Sequence, residues 1–135
     1  MTIAIEIGDR QVEEGAYGGL GNAYQSLGKC QKAIRYHEKA VKIAMEIGDR
    51  GAEGEAYGSL GNAYQYLGDV RKAIEYLEKS LKIAVEIGDR GVEGRVFGNL
   101  GTVYNSVGNF RKAIEYLEKS FRCEYIQFFE ISLEV

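Results

Sequence analysis

Residues 58–68 read GSLGNAYQYLG, with Gly58, Gly61 and Gly68 set among Leu60, Tyr64, Tyr66 and Leu67. Such a stretch is either a glycine loop that cradles phosphate or a helix that accepts glycine because something packs closely against it. A phosphate loop lies between a strand and a helix, and its P-loop form carries Lys followed by Ser or Thr. No strand pattern precedes residue 58, and no GK[ST] occurs. Instead Gly54, Gly58 and Gly61 stand at i, i+4 and i+7, as do Gly94, Gly98 and Gly101. That spacing puts all three on one side of a helix. Each interior glycine costs a helix about 1 kcal/mol relative to alanine, and close approach of a neighbouring helix is the usual compensation. The stretch reads as a packing helix, and Gly21, Gly61 and Gly101 are its helix-packing glycines in three copies.

The copies are explicit. EIGDR occurs at 6–10, 46–50 and 86–90; LGNAY at 20–24 and 60–64 is answered by LGTVY at 100–104. RKAIEYLEKS at 71–80 returns unchanged at 111–120, with QKAIRYHEKA in the same place at 31–40. Between 41–80 and 81–120 about 26 of 40 positions are identical, so one supersecondary unit is repeated along the chain.

Within a unit the apolar period is helical. Tyr57, Leu60, Tyr64 and Leu67 recur at spacings of three and four, and so do Tyr17, Leu20, Tyr24 and Leu27. A second helix follows, with Ala73, Leu77, Ser80 and Ala84 as a small-residue stripe. Glu38–Lys42, Glu75–Lys79 and Glu78–Lys82 stand at i,i+4 on its solvated face. Gly28, Gly68 and Gly108 follow the first helix, where a left-handed cap favours glycine. Asp69 and Asn109 can cap the second helix, which Lys29 cannot. Gly8, Gly48 and Gly88 are expected to close second helices, and Asp9, Asp49 and Asp89 to start the next. The expectation is an all-α, right-handed α-solenoid of antiparallel helix pairs.

Residues 1–10 then read as the end of a preceding repeat's second helix. Repeat 1 spans 11–50, repeat 2 spans 51–90, and an incomplete repeat 3 spans 91–120. Residues 121–135, FRCEYIQFFEISLEV, form a divergent tail. A continued helix is the preferred reading there, because no stop signal precedes it; its aromatic and branched residues leave a strand as the alternative.

Tyr57, Leu60-Gly61, Tyr64, Gly68, Ala73 and Ser80, with their counterparts, resemble the tetratricopeptide repeat signature. The 40-residue period and the wording GDRxxEGxAYxxLGNAYxxLG are similar to the longer subclass found in LGN/Pins adaptors that modulate G-protein signalling, and in relatives of tetratricopeptide repeat protein 28. The resemblance implies a concave surface lined by the first helix of each pair, on which a protein or peptide ligand binds.

On that helix the wheel sets Glu55, Asn62 and Tyr66, with Gly58 among them and Gln65 at the edge, apart from the apolar stripe. Asn22 and Gln25 match them in repeat 1; Arg95, Thr102 and Asn105 match them in repeat 3. Amides both donate and accept hydrogen bonds, which suits the unpaired backbone of an extended or partly helical peptide. Gly18, Gly58 and Gly98 would lower the groove wall. The competing reading is plain solvated helix surface. The lysines and arginines of a carboxylate clamp are missing from these places, which leaves Arg95 as the groove cation, opposed by Glu55.

Other function classes find little support. A formal net charge of −3 argues against nucleic acid, and no apolar run approaches a membrane span. His37 is the sole histidine and stands where Leu77 and Leu117 do, so it reads as a half-buried core residue and not as a general base. Cys30 stands where Val70 and Phe110 do, and neither cysteine fits a metal spacing, so reduced thiols in the cytoplasm are expected. No enzyme, cofactor or metal is expected. The alternative to a peptide-binding scaffold is a structural fragment that forms a homo-oligomer through apolar ends, the tail's Phe128, Phe129, Ile131 and Leu133 in particular.

Overall fold

The computed structural model describes the backbone of residues 3–134 and the side chains of residues 7–125. Six helices follow one another: α1 (Ile3–Ser26), α2 (Cys30–Ile47), α3 (Arg50–Leu67), α4 (Val70–Ile87), α5 (Arg90–Ser106) and α6 (Phe110–Glu134). Each packs on the helices before and after it, so α1/α2, α3/α4 and α5/α6 are stacked antiparallel pairs. The result is an all-α solenoid.

Two-residue punctuation makes the turns. Gly48, Gly68 and Gly88 take φ of 72°, 92° and 71°, the left-handed conformation that costs other residues a Cβ clash. The next residue then caps the following helix. Asp49, Asp69 and Asp89 each accept a hydrogen bond from the backbone N–H three residues on, at 3.0–3.1 Å, which satisfies one orphan donor of the first turn. Asn109 does the same at 3.3 Å, and Lys29 makes no side-chain cap.

Gly8 departs from the expected pattern. α1 runs through Gly8 and Asp9 as one helix of 24 residues. At Gly48 and Gly88 the reversal is supported by packed helices on both sides; at Gly8 local helical hydrogen bonding carries the helix straight through. Nevertheless Arg10 reaches Glu13 and Glu46, as Arg50 reaches Glu53 and Glu86. α6 likewise runs on unbroken to Glu134. Phe128, Phe129, Ile131 and Leu133 have side chains outside the described residues.

Glycine faces explain how close the paired helices come. A Cβ on Gly61 would lie 2.6 Å from Leu77 Cγ and 3.2 Å from the Ala73 carbonyl. One on Gly101 would lie 2.7 Å from Leu117, and one on Gly21 would lie 2.5 Å from the His37 ring. The core runs as Leu60, Ala63, Ala73, Leu77, Leu100 and Val103, all essentially without solvent access. Each pair also stacks three rings, Tyr57–Tyr76–Tyr64 at 5.9 and 5.5 Å in the middle one. Lys79 lies over Tyr57 and Tyr76 while pairing with Glu75 at 3.7 Å. Lys42 and Lys82, by contrast, make no ion pair with Glu38 and Glu78.

His37 is more deeply placed than expected. It is fully buried against Gly21, and its Nε2 has no hydrogen-bond partner. Burial pushes its pKa below the ordinary imidazole value.

Candidate functional site

The direction of curvature is set by which alternate helices meet. α1 approaches α3, and α3 approaches α5, with Cα atoms within 8 Å; α2, α4 and α6 make no such approach to one another among the described residues. The first helices therefore lie on the inner side of the bend.

A cleft of about 240 Å³ opens on that side. Asn22 of α1, Glu55, Ser59 and Asn62 of α3, and Arg95 and Asn99 of α5 line it. Glu55, Ser59 and Asn62 occupy i, i+4 and i+7, one stripe of a single helix. Arg95 and Asn99 are an i,i+4 pair on the next first helix, and the side of Val96 gives an apolar wall. Gly58 has no side chain to fill the floor, and Ser80 Oγ lies 3.2 Å from where its Cβ would be. That hydroxyl is engaged, donating to the Gly54 carbonyl at 2.7 Å.

The charges of the cleft are arranged in sequence across it. Arg95 Nη2 and Glu55 Oε1 stand 4.0 Å apart across the repeat boundary, both largely exposed. Glu14 of α1 has a raised carboxyl pKa, first through burial and then through the nearby negative charges of Asp49 and Glu55. The charged residues that line the cleft are Glu55 of α3 and Arg95 of α5. With its amides and hydroxyl, the cleft can both donate to and accept from an extended backbone.

Of the residues singled out from sequence, Asn22, Glu55, Asn62 and Arg95 meet in this cleft. Gln25, Gln65, Tyr66, Thr102 and Asn105 do not line it. Tyr66 stands exposed beside Leu67 in a separate cleft against the α1–α2 turn at Gly28–Lys32. Thr102 turns its hydroxyl onto the Gly98 carbonyl of its own helix, at 3.1 Å. Gly98 faces Ser120 Oγ, 3.3 Å from its absent Cβ, and so belongs to helix packing, while nothing stands within 4 Å of that position at Gly18. Ser59 and Asn99 also line it and were missed. Both carried a usable signal, since each lies four residues beyond Glu55 or Arg95 on the same helical face.

Among the described residues no group of His, Cys, Asp or Glu could hold a metal ion. No helix there is long and apolar enough to cross a membrane.

A family model described as tetratricopeptide repeat matches residues 13–86 and again 53–123. The search of curated proteins returned no match. Among solved structures, the tetratricopeptide repeat domain of Arabidopsis FLU is 21% identical with a TM-score of 0.79, the match covering 84% of this chain and 95% of that one. Aspartyl phosphate phosphatase F from Bacillus subtilis is 18% identical with a TM-score of 0.85, covering 92% of this chain and 33% of that chain. A signal transduction ATPase with numerous domains and a tetratricopeptide repeat sensor, from Pyrococcus horikoshii, is 29% identical with a TM-score of 0.77; the match covers 87% of this chain and 18% of that one. The chain therefore spans a third or less of those two larger proteins.

Proposed function

The chain belongs to the tetratricopeptide repeat family, and from that premise we propose that it is an adaptor holding an extended or partly helical segment of a partner protein in the cleft between α1, α3 and α5. The repeat is in general a scaffold for protein–protein interaction, and its members are typically not enzymes. One observation carries the finer reading: three successive first helices bring Asn22, Asn62 and Asn99 into one concave cleft with the Arg95–Glu55 pair. Side-chain amides on successive first helices suit the repeating N–H and C=O groups of a peptide backbone. Gly58 leaves the floor low enough for that backbone to come close. Glu55 offers an acceptor to a basic group of the ligand and Arg95 a donor to an acidic one.

The 40-residue period and its wording support membership of the LGN/Pins-like subclass, and with it a cytoplasmic adaptor role in G-protein signalling. The thiols of Cys30 and Cys123 are free, which is compatible with that setting.

Panning a displayed library of random peptides on the full chain tests the reading. Selected peptides should lose tenfold or more in affinity, about 1.4 kcal/mol, on Asn62→Ala combined with Arg95→Ala. Peptides that bind the double variant as tightly as the parent would remove the cleft from the account.

A further inference from the structure

Five cations follow one another along the outer side of α2. Lys32, Arg35, Lys39 and Lys42 stand at i, i+3, i+7 and i+10, one stripe of the helix, and Lys29 precedes its first turn. At the places of Lys29 and Arg35, α4 carries Asp69 and Glu75, and α6 carries Asn109 and Glu115. The exchange removes both a cap and a counter-charge. Lys29 forgoes the side-chain cap that Asp69 and Asn109 supply. Glu75 holds Lys79 at 3.7 Å and Glu115 holds Lys119 at 3.4 Å. With Arg35 in that place, none of the five cations has an ion pair among the described residues.

The stripe lines an open recess of about 420 Å³. Lys32 Nζ lies 5.3 Å from the ring centre of Tyr24, and Lys39 Nζ lies 5.3 and 5.5 Å from those of Tyr17 and Tyr36. Aromatic faces thus hold two of the ammonium groups in place. Glu38 is the one carboxylate lining the recess, and it also lines the crevice toward Tyr57 and Tyr76 of the next pair. Lys29 and Lys32 border a second cleft, of about 510 Å³, together with the exposed Tyr66 and Leu67. This face stays open inside an array: Lys72, Glu75, Lys79 and Lys82 of α4 are exposed although a helix pair packs on either side of theirs.

We propose that the α2 stripe is a second recognition surface, and that it binds an acidic segment of a partner protein. Charge complementarity carries the assignment. Cations crowded on one face without counter-charges repel one another, and a run of Asp or Glu relieves that repulsion. At the helical rise the stripe from Lys32 to Lys42 is about 15 Å long, the reach of about five residues of extended chain. The Tyr66–Leu67 cleft beside Lys29 takes an apolar side chain at the end of that run. Nucleic acid fits less well, because a polymer longer than the stripe meets a chain of net charge −3. A flat anionic membrane would meet Glu75 and Glu115 at the same repeat position of α4 and α6. The surface shares no residue with the concave cleft and does not rest on that reading.

Fluorescence anisotropy on the full chain tests it, with a labelled peptide of one leucine followed by a short run of glutamates. The parent should bind this probe, more weakly as salt rises, and should not bind the same peptide with glutamine in place of glutamate. Lys29→Asp combined with Arg35→Glu gives α2 the residues of α4. That variant should lose about tenfold or more in affinity while unfolding at or above the parent's temperature. Lys32→Gln combined with Lys42→Gln, which introduces no acid, should weaken binding as well. Asn62→Ala combined with Arg95→Ala should bind the probe as the parent does. A parent that does not bind the peptide would overturn the inference, and so would full binding by both α2 variants. Loss of binding in the cleft variant alone would overturn it too, since Arg95 would then be the receptor. Tighter capture of a thymidine oligonucleotide, or of vesicles of phosphatidylserine and phosphatidylcholine, than of the peptide would do the same.

Discussion

The Ser80 hydroxyl, fully buried, donates to the Gly54 carbonyl at 2.7 Å, tying α4 to α3. Ser120 makes the same bond to Gly94 at 2.8 Å, between α6 and α5. The first pair has no equivalent, because Ala40 and Glu14 stand in those places. A glycine face is thus used twice, once for approach and once to present its carbonyl.

Ser80→Ala should cost about 1 kcal/mol, the net value of one buried hydrogen bond. The midpoint of urea unfolding measures it. Equal midpoints for parent and Ser80→Ala would show that the bond contributes nothing.

Gly61→Ala and Gly19→Ala should move stability in opposite directions. At Gly61 the new methyl would fall 2.6 Å from Leu77 Cγ with the Ala73 carbonyl 3.2 Å away, and overpacking of this kind costs roughly 1–3 kcal/mol. At Gly19 nothing stands within 4 Å, so the helix gains up to about 1 kcal/mol in propensity. Thermal unfolding of the two variants, recorded beside the parent, gives the signs directly. A stabilised Gly61→Ala would mean the helices can part without loss.

Stability should fall as pH drops below the ordinary imidazole value of 6.5, and His37 is the cause. The sign follows from linkage. The folded pKa is depressed, so below 6.5 the unfolded chain takes up a proton that the folded chain refuses. Stability declines with falling pH until the folded pKa is reached, and then levels. His37→Leu removes the unpartnered Nε2 and restores the residue found at Leu77 and Leu117. The variant should be more stable by about 1–3 kcal/mol, and the difference from the parent should widen toward acid. A difference independent of pH from about 7 down to about 5, the range in which an unperturbed imidazole titrates, would clear His37 of the role.

Lys29→Asp should add about 0.5–1 kcal/mol by giving α2 the cap that α3, α4 and α5 already have. Amide hydrogen exchange at the start of α2 should slow with it. Unchanged exchange there would mean the new carboxylate does not reach the backbone N–H groups.

Much of the architecture was legible because it is local. The glycine followed by Asp or Asn declares a left-handed cap and then an N-cap, and four of the five such steps between helices, at 48, 68, 88 and 108, end in one of those residues. Gly8 shows the limit of the same signal: an identical EIGDR lies inside a continuous helix, since a cap sequence only permits a turn and packing must stabilise it. At the cleft, helical spacing set Glu55, Asn62 and Tyr66 on one side of the helix, and the structure puts Glu55 and Asn62 along one cleft and Tyr66 along another near the α1–α2 turn. His37 was placed in the core by its repeat position, yet its complete burial depends on the bare flank of Gly21.

The amino-acid order alone determined the helices, their pairing and the period of forty, because backbone hydrogen bonding, capping and an apolar period act over a few residues. Only the tertiary structure decided that Arg95 faces Glu55 and that Asn22, Ser59, Asn62 and Asn99 share one concavity. Those outcomes depend on how successive pairs are rotated against one another, which is not encoded within a single helix.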